Sequence, residues 1–255
     1  MVVLGPQHLD QLVRIEAQVH YGEPPLPGQL PFVVAERDSP VLLSAPHGTR
    51  TYRNDADEEW HEEDEYTAGM ALLLSELCGT SVIANVWRSD ACDPNAHGEA
   101  RCAYKQALRK VVQERHIRWV LDLHGAREDN ALLGECLIDL GTRKGSRSLP
   151  VKQRDKLQRF IESRLGEGTV SLDKIPATGV NRITAYCQES LCIAAVQLEM
   201  KPSVRVVYRR LDASAFAKLG PFSAESDQVL AMLQSLADFI DCLKSTVKVT
   251  TQASP

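Results

Sequence analysis

Residues 120–125 read Val-Leu-Asp-Leu-His-Gly. A short apolar run of this kind, followed by a glycine and then by the polar residues 127–129, is typical of a largely buried β-strand. The predicted strand ends in His124. Because ligands in open α/β sheets bind outside the carboxyl ends of the strands, a histidine at this position is well placed to hold a metal ion.

A second stretch repeats this pattern. Residues 41–45 read Val-Leu-Leu-Ser-Ala and lead directly into Pro46, His47 and Gly48. Either histidine alone would more often have a structural role in the core or in a turn. The two together, at the ends of strands that we expect to share one edge of a sheet, favour a metal site, and imidazole is a ligand that suits zinc.

Strands and helices alternate along most of the chain. This alternation favours an α/β fold, with one three-layer α/β/α domain over residues 1–245 around a central mixed, largely parallel sheet, and a frayed tail at 246–255. Residues 49–62 and 177–182 are predicted to be loops. Strands are predicted at residues 31–35, 41–45, 81–87, 120–125, 131–141, 170–172 and 193–200, and helices at 9–19, 68–77, 100–115, 150–165 and 223–243.

Composition excludes several classes of protein. The 255 residues are 44% hydrophobic and 25% charged, with a net charge of −5, which is ordinary for a globular protein. No basic patch stands out, so we expect no nucleic-acid partner. No run approaches the roughly 18 apolar residues of a membrane span. The first residues lack the features of a signal peptide, so we expect a cytoplasmic protein.

The seven cysteines do not form a recognisable metal or redox motif. Their number is odd, and no Cys-x-x-Cys occurs. Several lie in apolar runs, as Cys136 and Cys192 do. We therefore expect reduced, partly buried thiols, and neither a cysteine zinc cluster nor a cysteine nucleophile.

A third metal ligand is expected in the acidic stretch that follows His47. The candidates are His61, Glu62, Glu63, Asp64 and Glu65. We expect His61 to be a solvated loop residue, and Glu62 and Glu63 to belong to an exposed acidic turn. Asp64 could alternatively serve only as the cap of the helix that begins beside it.

A later acid suits the role of a general base. Glu199 lies near the carboxyl end of the predicted strand 193–200, in otherwise apolar surroundings. A carboxylate in such a strand is costly unless it is paired or belongs to an active site. It could accept the proton of a water activated by zinc. Asp122, two residues before His124, could either hydrogen-bond nearby backbone or orient a metal ligand.

Five short motifs resemble, in the same order, those of the N-formylglutamate amidohydrolase family, which is related to zinc carboxypeptidases and aspartoacylases. The resemblance covers roughly residues 40–205. Each motif is weak alone, and their order among the predicted strands and helices makes the resemblance more specific. The motifs are Pro46-His47-Gly48, Asp64-Glu65-Tyr66-Thr67, Arg88 with Asp93-Pro94-Asn95, Asp122-Leu123-His124-Gly125 and Gln197-Leu198-Glu199.

The resemblance implies an open α/β sheet of the zinc carboxypeptidase type with one Zn²⁺ ion per chain. Carried over to this sequence, the metal ligands are His47, Asp64 and His124, and Glu199 is the general base. The amidohydrolase pattern indicates Asp64 as the second ligand. An aspartoacylase-like interpretation of the same motif indicates Glu65 instead.

One family motif matches only in part. Where the family has Asp-Leu-Asn-Arg, residues 93–96 read Asp-Pro-Asn-Ala, so the arginine that would bind a substrate carboxylate is missing. Arg88, Arg101 or Arg182 could substitute, because a guanidinium group binds a carboxylate with two hydrogen bonds. We therefore predict that Arg88, Asn95 and Arg182 bind substrate.

These residues predict a zinc-dependent hydrolase. The expected substrate is a small N-acyl amino acid similar to N-formylglutamate, or a peptide-like molecule with a free carboxylate, cleaved at an amide bond. The alternative is a non-catalytic binding domain that keeps the fold, with or without the metal. A third possibility is a hydrolase of the same layout that cleaves esters or larger polymers. The sequence does not indicate an oligomeric state.

Overall fold

Seven strands form the central sheet in the computed structural model, which describes residues 2–54, 59–213 and 225–252. Two further strands, β3 (Thr51–Asn54) and β4 (Glu59–His61), form a small antiparallel sheet of their own. Across the central sheet the order is β1 (Phe32–Ala35), β5 (Ser81–Asn85), β2 (Val41–Ala45), β6 (Trp119–Gly125), β9 (Ala194–Met200), β7 (Ile138–Gly141) and β8 (Val170–Leu172).

The sheet is mixed and mostly parallel. Its four inner strands β5, β2, β6 and β9 are parallel to one another, while β1 and β7 pair antiparallel with them on the two sides. All five residues of β2 are buried, as expected for a strand covered on both faces. The carboxyl ends of the inner strands therefore meet at one edge, where ligands bind in open α/β sheets.

Helices cover both faces of the sheet and complete the three predicted layers. Alternate residues of β2 point in opposite directions, so Leu43 belongs to the core on one face and Leu42 to the core on the other. Burying each such leucine contributes about 2 kcal/mol to folding. On the first face lie α1 (Pro6–Glu16), α2 (Thr67–Cys78), α4 (Val151–Leu165) and α6 (Ser226–Gln252), and on the second lie α3 (Ala103–Glu114) and α5 (Ile183–Ser190).

The strand predicted over residues 131–141 is wrong for its first half. Only Ile138–Gly141 is a strand, and residues 131–135 form turns. Gly134 has a left-handed φ of 58°, and Leu132 is exposed. An apolar run alone does not distinguish a strand from a turn that contains apolar residues.

Other differences between the predicted and observed elements concern segments whose structure depends on tertiary contacts. Residues 49–62, predicted as a loop, include β3 and β4, and α5 was not predicted. Residues 223–224, the predicted start of the last helix, lie outside the described residues. That helix extends to Gln252, and the last three residues of the predicted tail also lie outside the described part. Within the described residues, no helix combines the length and apolar character needed to cross a membrane.

A buried carboxylate from α1 caps the start of α2. Glu16 is fully buried, and its two oxygens accept hydrogen bonds from the backbone N–H groups of Tyr66 (2.8 Å) and Gly69 (2.9 Å). The hydroxyl of Tyr21 also donates to Glu16. A Cβ on residue 69 would lie 2.5 Å from the Glu16 carboxylate, which explains the glycine inside this helix. The partial positive charge of the helix N-terminus favours a carboxylate here.

Glu16→Ala should therefore destabilise the protein by about 3 kcal/mol, because it leaves two buried N–H groups and a tyrosine hydroxyl without their acceptor. Urea denaturation would measure the change. The control is Glu76→Ala, which removes an exposed carboxylate from α2 and should change stability by less than about 0.5 kcal/mol. Equal effects of the two substitutions would contradict the capping role of Glu16.

Candidate metal centre

Two histidines and an aspartate converge at the carboxyl edge of the sheet. His47 follows β2, and His124 is the penultimate residue of the adjacent strand β6. Asp64 comes from the segment between β4 and α2, and its backbone N–H donates to the carbonyl oxygen of His47 (2.7 Å). All three side chains are buried.

The three side chains present their ligand atoms to one another. Nδ1 of His47 lies 3.2 Å from Nδ1 of His124. Oδ2 of Asp64 lies 3.3 Å from Nδ1 of His124 and 3.6 Å from Nδ1 of His47. Zinc bonds to nitrogen and oxygen are about 2.0–2.1 Å long, so the ligand atoms of a tetrahedral site lie about 3.3 Å apart. The spacing of these three atoms therefore fits a zinc ion with an open fourth position.

Carboxylates on the outer side of each ring determine which nitrogen faces inward as an acceptor. Nε2 of His47 lies 2.9 Å from Oδ1 of Asp93, and Nε2 of His124 lies 2.9 Å from Oδ2 of Asp122. A carboxylate partner assigns the hydrogen to Nε2, so Nδ1 of each neutral ring carries a lone pair. Asp122 is thus placed to orient a candidate metal ligand, one of the two roles considered for it in the sequence.

When both rings are neutral, the inner side of the cluster is therefore made of three acceptors. Oδ2 of Asp64 is buried and has no hydrogen-bond partner among the described residues. Two imidazole lone pairs and a carboxylate oxygen repel one another at these distances unless a cation lies between them. The chemistry of the donor set, and not only its spacing, fits a divalent ion.

The same contacts shift the pKa values of the three side chains. Burial alone would lower the pKa of His47 and of His124, but the neighbouring carboxylates of Asp93 and Asp122 raise both above the ordinary value for histidine. Burial alone would raise the pKa of Asp64, but the two histidines lower it well below its usual range. Positive charge, as protons or as a metal ion, is therefore favoured at this position.

The outer carboxylates are themselves held in place. Oδ1 of Asp93 accepts the backbone N–H of Asn95 (2.7 Å), and its Oδ2 accepts Nε of Arg53 (2.8 Å). Oδ1 of Asp122 accepts the hydroxyl of Ser44 (2.7 Å). Such contacts restrict the rotation of the histidine rings, since a ring whose partner cannot move keeps its own orientation.

Glu199 lies beside this cluster. It is the register partner of His124 on the neighbouring parallel strand, so the two side chains leave the sheet on the same face. Nε2 of Gln197 donates to Oε1 of Glu199 (2.5 Å). Burial raises the pKa of the Glu199 carboxyl group, although the nearby His124 lowers it in part. A carboxylate with a raised pKa accepts and returns protons more readily near neutral pH.

A cavity of about 360 Å³ opens beside the cluster. Its wall includes Asp64, the aromatic side chains of Trp60 and His61, and three cations, Arg53, Arg127 and Arg205. Arg205 is almost completely buried, and its guanidinium donates to the carbonyl oxygens of Met200 (3.0 Å) and Glu65. A Cβ on residue 125 would lie 2.7 Å from that guanidinium, so Gly125 permits this close approach.

Several neighbours of the cluster differ from the predictions. His61 is not a solvated loop residue, because its ring stacks on His47 with centroids 3.8 Å apart, and burial lowers its pKa to about 3. Glu63 is buried and paired with Nε of Arg50 (3.1 Å), so the predicted exposed turn is wrong at this residue. Glu62 lines the cavity.

Glu65, the alternative second ligand, lies outside the cluster. Its carboxyl group is fully buried, and the cations nearest to it are Arg205 and Arg209. Burial raises its pKa, and these two arginines lower it in part. The group of side chains whose ligand atoms come together consists of His47, Asp64 and His124.

The predicted substrate-binding residues do not line the cavity beside Asp64, as far as the described residues show. Arg88 pairs with Asp90 (2.6 Å) and lines a separate cavity of about 450 Å³. Asn95 is buried, with its Nδ2 3.2 Å from Nε2 of His124 and its Oδ1 accepting the N–H of Ile183. Arg182 lies directly before α5.

Asp93, Arg53 and Arg205 had no predicted role in the site. Asp93 belongs to the partly matching motif at residues 93–96, and this motif was the signal that could have identified it. The two arginines had no such signal. They reach the cavity from the segment Thr51–Asn54, predicted as part of a loop, and from residues 205–210 after β9.

We expect Asp93→Asn to weaken zinc binding by about 10- to 100-fold, because the His47 ring loses the carboxylate that orients it. Competition with a chromophoric chelator would measure the affinity. Asp90→Asn is the matched control, since Asp90 lies in the same loop but is exposed and pairs with Arg88. Unchanged affinity in Asp93→Asn would show that this carboxylate does not support the metal centre.

Comparison with known proteins supports the fold. Neither protein-family models nor curated proteins match the sequence. Among solved structures, N-formylglutamate amidohydrolase from Ralstonia eutropha JMP134 aligns with a TM-score of 0.54 and 16% identity over 83% of this chain and 98% of that one. A gene product of Agrobacterium tumefaciens aligns with a TM-score of 0.55 and 13% identity over 86% and 97%. This chain therefore has the fold of the N-formylglutamate amidohydrolase structure, which confirms at the level of the fold the resemblance that its motifs indicated.

Proposed function

We propose that this protein is a zinc-dependent hydrolase that cleaves an amide bond of a small N-acyl amino acid or of a peptide-like substrate with a free carboxylate. The observation that carries the proposal is the convergence of three buried acceptors, His47, Asp64 and His124, at distances that suit one zinc ion. The fold shared with an N-formylglutamate amidohydrolase structure supports the same class of reaction.

The chemistry follows from the neighbours of the cluster. A zinc ion held there would lower the pKa of a water molecule and polarise a substrate carbonyl. Glu199, on the strand beside His124, would accept the proton of the attacking water and pass it to the leaving amine. Its raised pKa favours this return of the proton. Asp93 and Asp122 would keep the two histidine rings in orientation throughout.

The size and lining of the cavity suit a small substrate with a carboxylate group. Its volume of about 360 Å³ suits a molecule of amino-acid size rather than a folded polymer. Arg53, Arg127 and Arg205 line it, and a guanidinium group binds a carboxylate with two hydrogen bonds. We propose that these arginines replace the one missing at Ala96, in place of the residues that the sequence suggested.

Glu199→Gln should retain zinc and lower turnover by about 10²- to 10⁴-fold, because the amide keeps the shape of the side chain but cannot accept the proton. Metal content and the release of free amine from a panel of N-acyl amino acids would be measured together. Glu189→Gln, an exposed change on α5, is the matched control and should leave both unchanged.

Two results of that experiment would contradict the proposal. Full activity in Glu199→Gln would remove Glu199 from the mechanism. A wild-type protein that binds zinc and the N-acyl amino acids but releases no amine from any of them would instead support the non-catalytic binding domain.

Arg127→Ala should raise KM about 10-fold for a substrate with a free carboxylate and leave KM for the corresponding carboxamide unchanged, since a charged hydrogen bond contributes about 1.5 kcal/mol or more. Arg115→Ala is the control, because this exposed residue pairs with Glu36 and is not among the residues that line the cavity. A parallel rise for both substrates would show that Arg127 does not recognise the carboxylate.

A further inference from the structure

Two cysteines lie in contact beside the metal centre. Cys92 is in the loop after β5, and Cys102 directly precedes α3. Their sulfur atoms are 2.9 Å apart, both side chains are buried, and both are free thiols. An S–S bond is about 2.05 Å long, so the two sulfurs need to approach by only about 0.9 Å to form one.

The loop between these cysteines contacts both candidate metal histidines. Asp93, the residue after Cys92, contacts Nε2 of His47 at 2.9 Å. Nδ2 of Asn95 lies 3.2 Å from Nε2 of His124. A bond between Cys92 and Cys102 would therefore enclose Asp93 and Asn95 in one covalent ring.

A small oxidant can reach the pair through the cavity of about 450 Å³. Cys92 lines that cavity, together with the proline-rich residues 24–31 and the side chains of Phe32 and Tyr104. The cavity is separate from the one beside Asp64. Access to Cys92 thus does not depend on entry to the proposed substrate cavity.

The surroundings of Cys102 favour its thiolate form. The neighbouring Cys92 thiol and the first backbone N–H groups of α3 lower the pKa of Cys102 below the ordinary value for cysteine, despite burial. The buried ammonium group of Lys105, which donates to the carbonyl oxygens of His97 and Asn181, also favours the thiolate. Thiolates are the nucleophiles in disulfide formation.

We propose that Cys92 and Cys102 form an oxidisable dithiol, and that a peroxide converts it into a disulfide that closes the loop carrying Asp93 and Asn95. Two thiols and one hydrogen peroxide give one disulfide and two water molecules. The Cys102 thiolate attacks the peroxide and becomes a sulfenic acid, and the released hydroxide takes up a proton to give the first water. The Cys92 sulfur then displaces the hydroxyl group of the sulfenic acid, which leaves as the second water with the Cys92 proton.

Peptide mapping of the full-length protein tests this directly. Trypsin cleaves after Arg88, Arg101 and Lys105, so Cys92 and Cys102 fall in separate peptides, 89–101 and 102–105. After treatment with hydrogen peroxide and blocking of free thiols, we expect these two peptides to be linked and to separate on reduction. The oxidised protein should also melt about 5 °C higher, because the crosslink restricts the unfolded chain.

Variants identify the order of the two steps. Cys192→Ser removes an exposed thiol and should leave the linked peptides unchanged. In Cys92→Ser the sulfenic acid of Cys102 has no partner, so dimedone should trap it. An unmodified Cys102 in that variant would overturn the proposed order.

The proposal fails if the two peptides stay separate under conditions that oxidise Cys192, or if Cys92 links to another chain or to a different cysteine. These readouts are masses of peptides, not activities. They therefore decide the matter whether or not the protein proves to be a hydrolase.

Discussion

The repulsion among three buried acceptors is the constraint on which the rest of this structure depends. Two imidazole nitrogens and a carboxylate oxygen, from His47, His124 and Asp64, meet at 3.2 to 3.6 Å at the edge of the sheet. Their outer partners, Asp93 and Asp122, keep the acceptor side of each ring facing inward. A folded chain tolerates this arrangement only if positive charge lies between the three atoms.

The fold holds this arrangement by means of contacts far from it in sequence. The parallel pairing of β2 with β6 brings the two histidines together, and the pairing of β6 with β9 adds Glu199. The third candidate ligand, Asp64, lies just before α2, whose first backbone N–H groups donate to Glu16 from the first helix. Stability and the candidate metal centre are therefore linked, because Asp64 lies two residues before Tyr66, one of the residues that Glu16 binds.

The loop 92–102 connects the metal centre with a second cavity. Its residues contact the outer nitrogens of both histidines, and its ends are two cysteines whose sulfurs touch. One of these cysteines lines the cavity of about 450 Å³ beneath the proline-rich segment. A disulfide at this proposed dithiol would thus close the loop that carries Asp93 without entering the cavity proposed to bind substrate.

The sequence by itself determined the layers of the fold and the strand ends that carry His47, His124 and Glu199. The reason is that strands buried on both faces of a parallel sheet are continuous apolar runs, which are visible in the sequence. It also indicated Asp64, with Glu65 as an alternative. Only the tertiary structure brought Asp64 to the histidines and left Glu65 beside Arg205. Only the tertiary structure, likewise, stacked His61 on His47 and placed Arg53 and Arg205 at the cavity. The physical reason is that local periodicity reports which face of an element is buried, whereas the partner of a polar side chain is decided by segments that lie far away along the chain.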